Sequence, residues 1–225
     1  MSLSCNIAFA GLTAAGKTTH AKLLAQDLDY DYVSATDILL QILGIEEPGD
    51  QVWFSKLKEI NQYRKDGGID DALERRILHE HGLRSRTIMD TWALAWIGAD
   101  PLVRVWIESD LPSRARKCLV SQQHQRQLDL AECRDLVKAK DEFNRDAFLR
   151  RHRFDLFTDR SRYDIVLRNT HLIPTATKHD AQAGVKAFAP VVRDAVIAVM
   201  TGNADAARKL TSDHPNEVLR ITVSD

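Results

Sequence analysis

The chain has 225 residues, of which 44% are hydrophobic and 28% charged, a composition typical of a soluble protein with one sizeable core. A formal net charge of −1 excludes a global field that would draw the whole protein onto a nucleic acid or a membrane. The three cysteines, Cys5, Cys118 and Cys133, are odd in number and far apart. They therefore favour reduced thiols in a cytoplasmic protein over a disulfide framework or a zinc site.

The predicted elements alternate along the chain. Five short apolar runs predict buried strands, with mostly helical text between them: CNIAFA, YDYVSA, RTIMDT, LVRVWIES and YDIVLRNT. A last helix, AGVKAFAPVVRDAVIAVM, must be kinked or split at Pro190, since proline lacks the N–H that a helix interior needs. The tail after Gly202 carries only weak signals. No apolar run is long enough to cross a bilayer, and the N-terminus has no basic leader.

This alternation predicts an α/β fold: a five-stranded parallel sheet with helices on both faces. We expect one domain over residues 1–225, with two long helical inserts that reach over the carboxyl ends of the strands, where α/β sheets bind ligands. The predicted boundaries are a core of 1–44, 85–111 and 156–200, inserts of 45–84 and 112–155, and a tail of 201–225.

The stretch GLTAAGKT matches the phosphate-binding pattern G-x-x-x-x-G-K-[ST] and lies between a predicted strand and a predicted helix, as that pattern requires. Glycines let successive backbone N–H groups face the phosphates, and the helix N-terminus adds positive potential. Lys17 is expected to reach the β- and γ-phosphates, and the Thr18 hydroxyl to ligate magnesium. The sequence thus predicts ATP and Mg²⁺ as ligands, with these ATP-binding residues in the loop: Gly11, Ala14, Ala15, Gly16, Lys17, Thr18 and Thr19.

With the strands placed, the chain resembles the cytidylate-kinase-like branch of the P-loop nucleoside monophosphate kinases. The likeness runs from about Ile7 to about Thr170. It rests on GLTAAGKTTHAKLLAQDLDYDYVSATDIL, on GGIDDALERRIL, and on KAKDEFNRDAFLRRHRFDLFTDRSRYDIVLRNT. The resemblance implies ATP as donor, magnesium as cofactor, an acceptor-binding insert at 45–84 and a lid at 112–155. It places Lys138, Lys140 and Arg145 on the basic positions of the lid, and we assign Lys138 to ATP binding and Arg145 to catalysis.

The composition of the lid agrees with this assignment. From Arg114 to Arg153 there are eleven Lys or Arg residues and six Asp or Glu residues, a local excess of positive charge that suits a developing phosphoryl charge. Helical periodicity puts Arg134, Lys138, Asp141 and Arg145 on one face. The alternative is a solvated helix with salt bridges along its own surface, such as Lys138 to Glu142.

The acceptor side departs from the family pattern. Where the family carries arginines for the acceptor's monophosphate, this sequence has Leu40 and Trp92, which cannot grip a phosphate. This departure suggests an acceptor without a phosphate at the usual place, whose hydroxyl proton Asp37 would take as general base. Shikimate kinases and chloramphenicol phosphotransferases are similar in carrying an aspartate at about this place. The alternative for Asp37 is a helix cap or first-turn acid.

Other candidates follow the third strand. The resemblance assigns Asp90 to magnesium, and the alternative is a carboxylate that caps the next turn. Trp92 and Trp96, four residues apart, either stack on the acceptor or pack in the core.

The sequence therefore predicts a kinase of a small nucleotide- or nucleoside-like molecule, with a hydroxyl-compound kinase and a non-catalytic ATP-binding protein as alternatives. We expect a monomer or homodimer that binds no nucleic acid polymer and no membrane.

Overall fold

The computed structural model describes residues 4–46, 56–122, 128–153, 155 and 157–223. The strands are β1 Asn6–Gly11, β2 Asp31–Ser34, β3 Thr87–Asp90, β4 Leu102–Glu108, β5 Ile165–Arg168 and β6 Val218–Ile221. The helices are α1 Lys17–Leu28, α2 Ala35–Ile42, α3 Leu57–Tyr63, α4 Gly68–Leu83, α5 Leu94–Ile97, α6 Leu111–Gln122, α7 Leu130–His152, α8 Lys178–Met200 and α9 Ala204–Asp213. A short 3₁₀ helix spans Thr170–Leu172.

Within the described residues, six strands form one sheet in the order β2-β3-β1-β4-β5-β6. The first five are parallel, as predicted, and β6 pairs antiparallel with β5. The expected count of five strands is corrected by β6, which lies in the tail. Its signal is weak in sequence because a four-residue edge strand with a single buried residue, Val218, has almost no apolar pattern.

Helices cover both faces of the sheet, so the predicted layers are confirmed. On one face Ile7, Phe9 and Val105 pack against residues of α1 and α8. On the other face Ala8 and Met89 pack against residues of α2 and α4. Alternate side chains of a strand point to opposite faces, and both faces here are apolar because both are buried.

Helix α8 continues through Pro190 and is not split there. Pro190 lies on the exposed face of this helix, as does Lys186 one turn earlier. A proline removes the hydrogen bond to the carbonyl four residues before it, and at an exposed position water can satisfy that carbonyl.

Two helical units extend beyond the sheet. Leu39, Leu40 and Ile60 form a small core in the insert made by α3 and α4. The second unit is the antiparallel pair α6 and α7, joined by a core of Cys118, Cys133 and Val137. Burial raises the pKa of both of these thiols, so they stay protonated and pack as apolar groups.

Helix α7 begins at a complete capping box, in which the Asp129 carboxylate accepts from the Glu132 N–H and the Glu132 carboxylate accepts from the Asp129 N–H. Among the described helices, none combines the length and apolarity that a bilayer-spanning segment requires.

The packing of β6 predicts a contrast between two neighbouring residues. Val218 is 3% exposed and packs in the main core, whereas Leu219 is 44% exposed. We expect Val218→Ala to lower the free energy of unfolding by roughly 1.5 to 3 kcal/mol, and Leu219→Ala by less than about 0.5 kcal/mol. Urea denaturation of both variants measures the difference, and equal losses would show that β6 does not close the core.

Candidate active site

The loop between β1 and α1 has a backbone shape that requires glycine at its first position. Gly11 has a φ of +151°, and a Cβ atom there would lie 2.7 Å from the carbonyl oxygen of Ile107 on β4. Gly16, with a φ of +96°, is the residue before α1, and its carbonyl accepts the first hydrogen bond of that helix from the His20 N–H. The loop thus delivers the N-terminus of α1 to the carboxyl edge of the sheet.

Side chains from distant segments hold this loop. Asn169, just after β5, donates from Nδ2 to the Ala15 carbonyl at 2.8 Å. The Trp92 indole N–H, after β3, donates to the Gly11 carbonyl at 2.5 Å. These bonds tie the loop to the ends of β5 and β3, which lie on opposite sides of the β1–β4 pair in the sheet.

A third tie comes from α7. Asp141 accepts from the backbone N–H of Thr13 at 2.9 Å. Arg114 on α6 donates to the other oxygen of Asp141 and to the Thr13 carbonyl at 3.1 Å. A buried ion pair therefore sits directly on the phosphate loop, and the predicted lid is joined to the loop by hydrogen bonds.

Lys17 of the loop lies close to both the loop backbone and the Trp92 ring. Lys17 Nζ donates to the Leu12 carbonyl at 3.2 Å and lies 5.4 Å from the ring centroid of Trp92. Burial lowers the pKa of Lys17, while Asp90 and Asp141 act in the opposite direction. Such a buried cation is stabilised by anions, which is what phosphates supply.

Thr18 and Asp90 form a pair of hard oxygen donors. The Thr18 hydroxyl donates to Asp90 Oδ2 at 2.5 Å, and the Tyr32 hydroxyl donates to the same oxygen at 3.3 Å. Asp90 ends β3 beside Phe9 of β1, the strand that leads into the phosphate loop, so its carboxylate and the Thr18 hydroxyl lie together. The donor set fits Mg²⁺, which takes one or two protein oxygens and completes its shell with water and substrate phosphates. Among the described residues no group of three His, Cys, Asp or Glu side chains forms a separate metal cage.

A cavity of about 920 Å³ joins this loop to the two helical units. Its residues fall into three groups. The phosphate end is lined by Thr13, Ala14, Gly16, Lys17, Thr18, Thr19, Asp90, Lys117 and Lys140. The insert side is lined by Ser34, Ala35, Thr36, Asp37, Leu39, Arg64, Asp70, Leu73, Glu74 and Ile77. Trp92 together with Asn144, Ala147, Phe148 and Arg151 of α7 closes the remaining wall.

The face of α7 that borders the cavity differs from the one that periodicity suggested. Lys140 lines the cavity, whereas Lys138 and Arg145 are not among its lining residues. Lys138 is 62% exposed and lies 3.7 Å from Glu142, and Arg145 is 52% exposed and pairs with Asp155 at 2.5 Å. The structure thus shows the Lys138–Glu142 pair that was the alternative interpretation. The roles of Lys138 and Arg145 stay predictions.

Two further lysines face the phosphate end of the cavity. Burial and the neighbouring Lys17 ammonium lower the pKa of Lys140 well below its usual range. Burial also lowers the pKa of Lys117 to about 7. Lys117 Nζ donates to Asn169 Oδ1 at 2.5 Å and to Ser109 Oγ at 2.8 Å. Lys140 is buried, and Lys17 and Lys117 are half-buried. Three partly desolvated amines around one loop favour an anion as ligand, because negative charge stabilises their cationic forms.

The structure places Asp37 in the first turn of α2 and at the cavity wall, and its role as general base stays a prediction. It lies in the first turn of α2, where its backbone N–H donates to the N-cap hydroxyl of Ser34 at 3.2 Å. Its side chain is exposed and lines the cavity. The positive N-terminal end of the helix macrodipole stabilises a carboxylate at this position.

The two positions that replace family arginines have different surroundings. Leu40 is buried in the core of the insert and does not line the cavity. Trp92 and Trp96 both pack against the core cluster that contains Trp106 and Tyr163, and the Trp96 ring centroid lies 5.7 Å from the Arg162 guanidinium. Of the two tryptophans, Trp92 alone also lines the cavity.

Several side chains in or beside the site were not expected from sequence. Asn169 belongs to the RNT stretch after β5, and its position at a strand's carboxyl end was a usable signal. Nothing in sequence spacing indicates the others, because each arrives from a distant segment: Tyr32, Arg64, Arg114, Lys117 and Arg151.

Solved structures with a similar fold are kinases or proteins of unassigned activity. A shikimate kinase from Bacteroides thetaiotaomicron superposes with a TM-score of 0.50 at 15% identity, covering 84% of this chain and 98% of that one. An uncharacterized protein from Eubacterium ventriosum gives a TM-score of 0.55 at 13% identity, covering 84% and 95%. At these identities the likeness shows the fold alone, and the loop from Gly11 to Thr18 makes it a P-loop fold.

Sequence comparison narrows the class. The model of the cytidylate kinase-like family matches residues 6–171. A cytidylate kinase of Natronomonas pharaonis is 25% identical over 185 residues, which cover 82% of this chain and 91% of that protein. One from Halobacterium salinarum is 26% identical over 113 residues, covering 49% and 55%. The chain belongs to the cytidylate kinase-like family and is a P-loop phosphotransferase.

The two lysines of α7 give a matched test of which face acts. We expect Lys140→Met to stabilise the fold by roughly 1 to 3 kcal/mol, because it removes a buried charge, and to weaken binding of a nucleoside triphosphate about 10- to 100-fold. Lys138→Met should change neither quantity appreciably. Thermal unfolding and calorimetric titration measure both. A larger loss of affinity in Lys138→Met than in Lys140→Met would show that the face of α7 with Lys138 binds the nucleotide, as periodicity suggested.

Proposed function

We propose that the protein transfers the γ-phosphoryl group of ATP, with Mg²⁺, to a small molecule bound between the insert and α7. One observation carries the proposal: Lys17, the Thr18–Asp90 pair, Lys140 and Asp37 all border one cavity. The first three provide for a triphosphate and its metal, and Asp37 lies on the insert side, where an acceptor would enter.

The phosphate end would work mainly by positioning and charge. Backbone N–H groups of the loop and the N-terminus of α1 would hold the β- and γ-phosphates, with Lys17 and Lys140 offsetting their negative charge. Thr18 and Asp90 would hold Mg²⁺, which when bound neutralises charge that develops on the phosphate oxygens. Tyr32 would orient the Asp90 carboxylate through its hydroxyl.

Two acceptor classes are considered, one supported by the sequence relatives and the other by the cavity lining. The sequence relatives are named cytidylate kinases, which supports a nucleotide- or nucleoside-like acceptor. The alternative is a small hydroxyl compound, and the observation that favours it is the carboxylate of Asp37 at the cavity wall. In that case the acceptor hydroxyl oxygen attacks the γ-phosphorus, the bond from this phosphorus to the β–γ bridging oxygen breaks, and Asp37 takes the hydroxyl proton.

The proposal is tested by Mg-ATP turnover across an acceptor panel with Lys17→Ala as the blank. The panel holds CMP, dCMP, UMP and AMP, the parent nucleosides, and small alcohols without a base. We expect acceptor-dependent ADP production that falls at least about 100-fold in Lys17→Ala, because this lysine serves the phosphates. Circular dichroism checks that the variant is folded. ATP occupancy without sustained ADP in the wild type would instead indicate a non-catalytic ATP-binding protein.

The role of Asp37 has its own test, Asp37→Asn. If Asp37 is a general base, kcat should fall about 100- to 10,000-fold while ATP affinity stays near that of the wild type. Asparagine keeps the size of the side chain and removes its basicity. Near-normal kcat, with only a small loss of thermal stability, would assign Asp37 to the first turn of α2 alone.

A further inference from the structure

The part of the cavity beyond Lys17 has aromatic and aliphatic walls. The half-buried rings of Trp92 and Phe148 line it, and Leu39, Leu73, Ile77 and Ala147 complete its apolar surface. Apolar walls with a few fixed polar groups are typical of sites for small organic molecules.

The Trp92 ring is held in place before any ligand arrives. Its N–H is bound to the Gly11 carbonyl, and its edges meet Phe157 and Phe148 at centroid distances of 5.2 and 6.4 Å. A ring fixed in this way offers contact area without a further loss of side-chain entropy.

Both guanidinium groups that line the acceptor end are already paired with carboxylates. Arg64 is buried, and it donates from Nε to Asp70 at 2.6 Å and from Nη1 to Asn144 at 3.0 Å. Arg151 contacts Asp71 and Glu74, each at 2.7 Å. A phosphate dianion would have to share these guanidinium groups with the carboxylates that already contact them.

Charge is also unevenly distributed along the cavity. The phosphate end carries Lys17, Lys117 and Lys140 against the single acid Asp90, and a fourth lysine, Lys22, lines the cavity beside Tyr32. The acceptor end carries two arginines against three acids, and these five residues are Arg64, Arg151, Asp37, Asp70 and Glu74. A dianionic acceptor would therefore meet no excess of positive charge among these five residues, and an uncharged acceptor needs none.

We propose that the acceptor is an unphosphorylated molecule that lays a flat unsaturated ring against Trp92 and Phe148 and presents a hydroxyl towards Lys17. This inference rests on the phosphotransferase function and deepens it by naming the class of acceptor. Transfer joins the hydroxyl oxygen to the γ-phosphorus, ADP leaves with the electron pair of the broken bond, and the hydroxyl proton passes to Asp37. A nucleoside and a simple ring-bearing alcohol share this chemistry.

Matched ligand pairs test the class directly. Equilibrium binding is measured with Mg²⁺ and a non-hydrolysable ATP analogue for cytidine and CMP, uridine and UMP, adenosine and AMP, with benzyl alcohol and glycerol as ring-bearing and ring-free alcohols. We expect at least one nucleoside to bind at least about tenfold more tightly than its monophosphate, or benzyl alcohol to bind at least about tenfold more tightly than glycerol. Tighter binding of the monophosphates, or of glycerol, would overturn the proposal. A nucleoside-only or alcohol-only response tells the two sources apart.

Variants of Trp92 isolate the ring from the hydrogen bond. Trp92→Phe and Trp92→Leu both lose the bond to Gly11, and only the first keeps an aromatic face. Acceptor affinity should be about 2- to 10-fold weaker in Trp92→Leu than in Trp92→Phe, with equal affinities for the ATP analogue. Trp96→Phe, which lies outside the cavity lining, is the matched control and should bind as the wild type does. Equal acceptor affinities in the two Trp92 variants would overturn the stacking role.

The double variant Asp71→Asn, Glu74→Gln removes the two carboxylates that contact Arg151 at 2.7 Å and keeps Asp70, which lies 3.9 Å from it. We expect the affinity ratio of monophosphate to parent nucleoside to rise about tenfold or more, since a guanidinium is then offered to phosphate. An unchanged ratio would show that paired arginines are not what excludes phosphate.

ADP production is measured separately from binding. A protein that binds ring compounds yet transfers no phosphoryl group would contradict the phosphotransferase function and not the proposed class of acceptor.

Discussion

Positive charge concentrated at one backbone loop is the constraint around which the site is built. Lys17 lies on the loop, Lys140 arrives from α7 and Lys117 from α6, and burial lowers the pKa of all three. Such partly desolvated amines are stabilised by a polyanion. The carboxylates Asp90 and Asp141 offset part of the charge and at the same time fix Thr18 and the loop backbone.

Much of the fold could be predicted because its information is local. Each parallel strand is a short apolar run, and the spacing of two glycines and a lysine identifies the phosphate loop. The edge strand β6 escaped prediction because only Val218 in it is buried and its partner β5 lies far back in the sequence. The continuity of α8 at Pro190 depended on which face of the helix meets solvent, and composition alone does not fix that face.

The candidate site, too, could be predicted only where its residues lie close together in the sequence. Spacing located Gly11, Gly16, Lys17 and Thr18, because one short segment carries them all. Helix α7 is charged all round, so periodicity could not tell the face of Lys138 from that of Lys140. What orients the helix is a long-range contact, the hydrogen bond from Thr13 to Asp141. The pairs of Arg64 with Asp70 and of Arg151 with Glu74 likewise join separate segments and have no sequence signature.

The bond between Asp141 and the phosphate loop has a consequence for how the protein admits its ligands. A swing of α7 from its base would carry Asp141 away and strip Thr13 of its partner, so loop order and helix position change together. A hinge beyond Asp141 would instead free Phe148 and Arg151 while the nucleotide half stays assembled. Movement of the C-terminal part of α7 alone would thus widen the acceptor side of the cavity and leave the phosphate loop in its present shape.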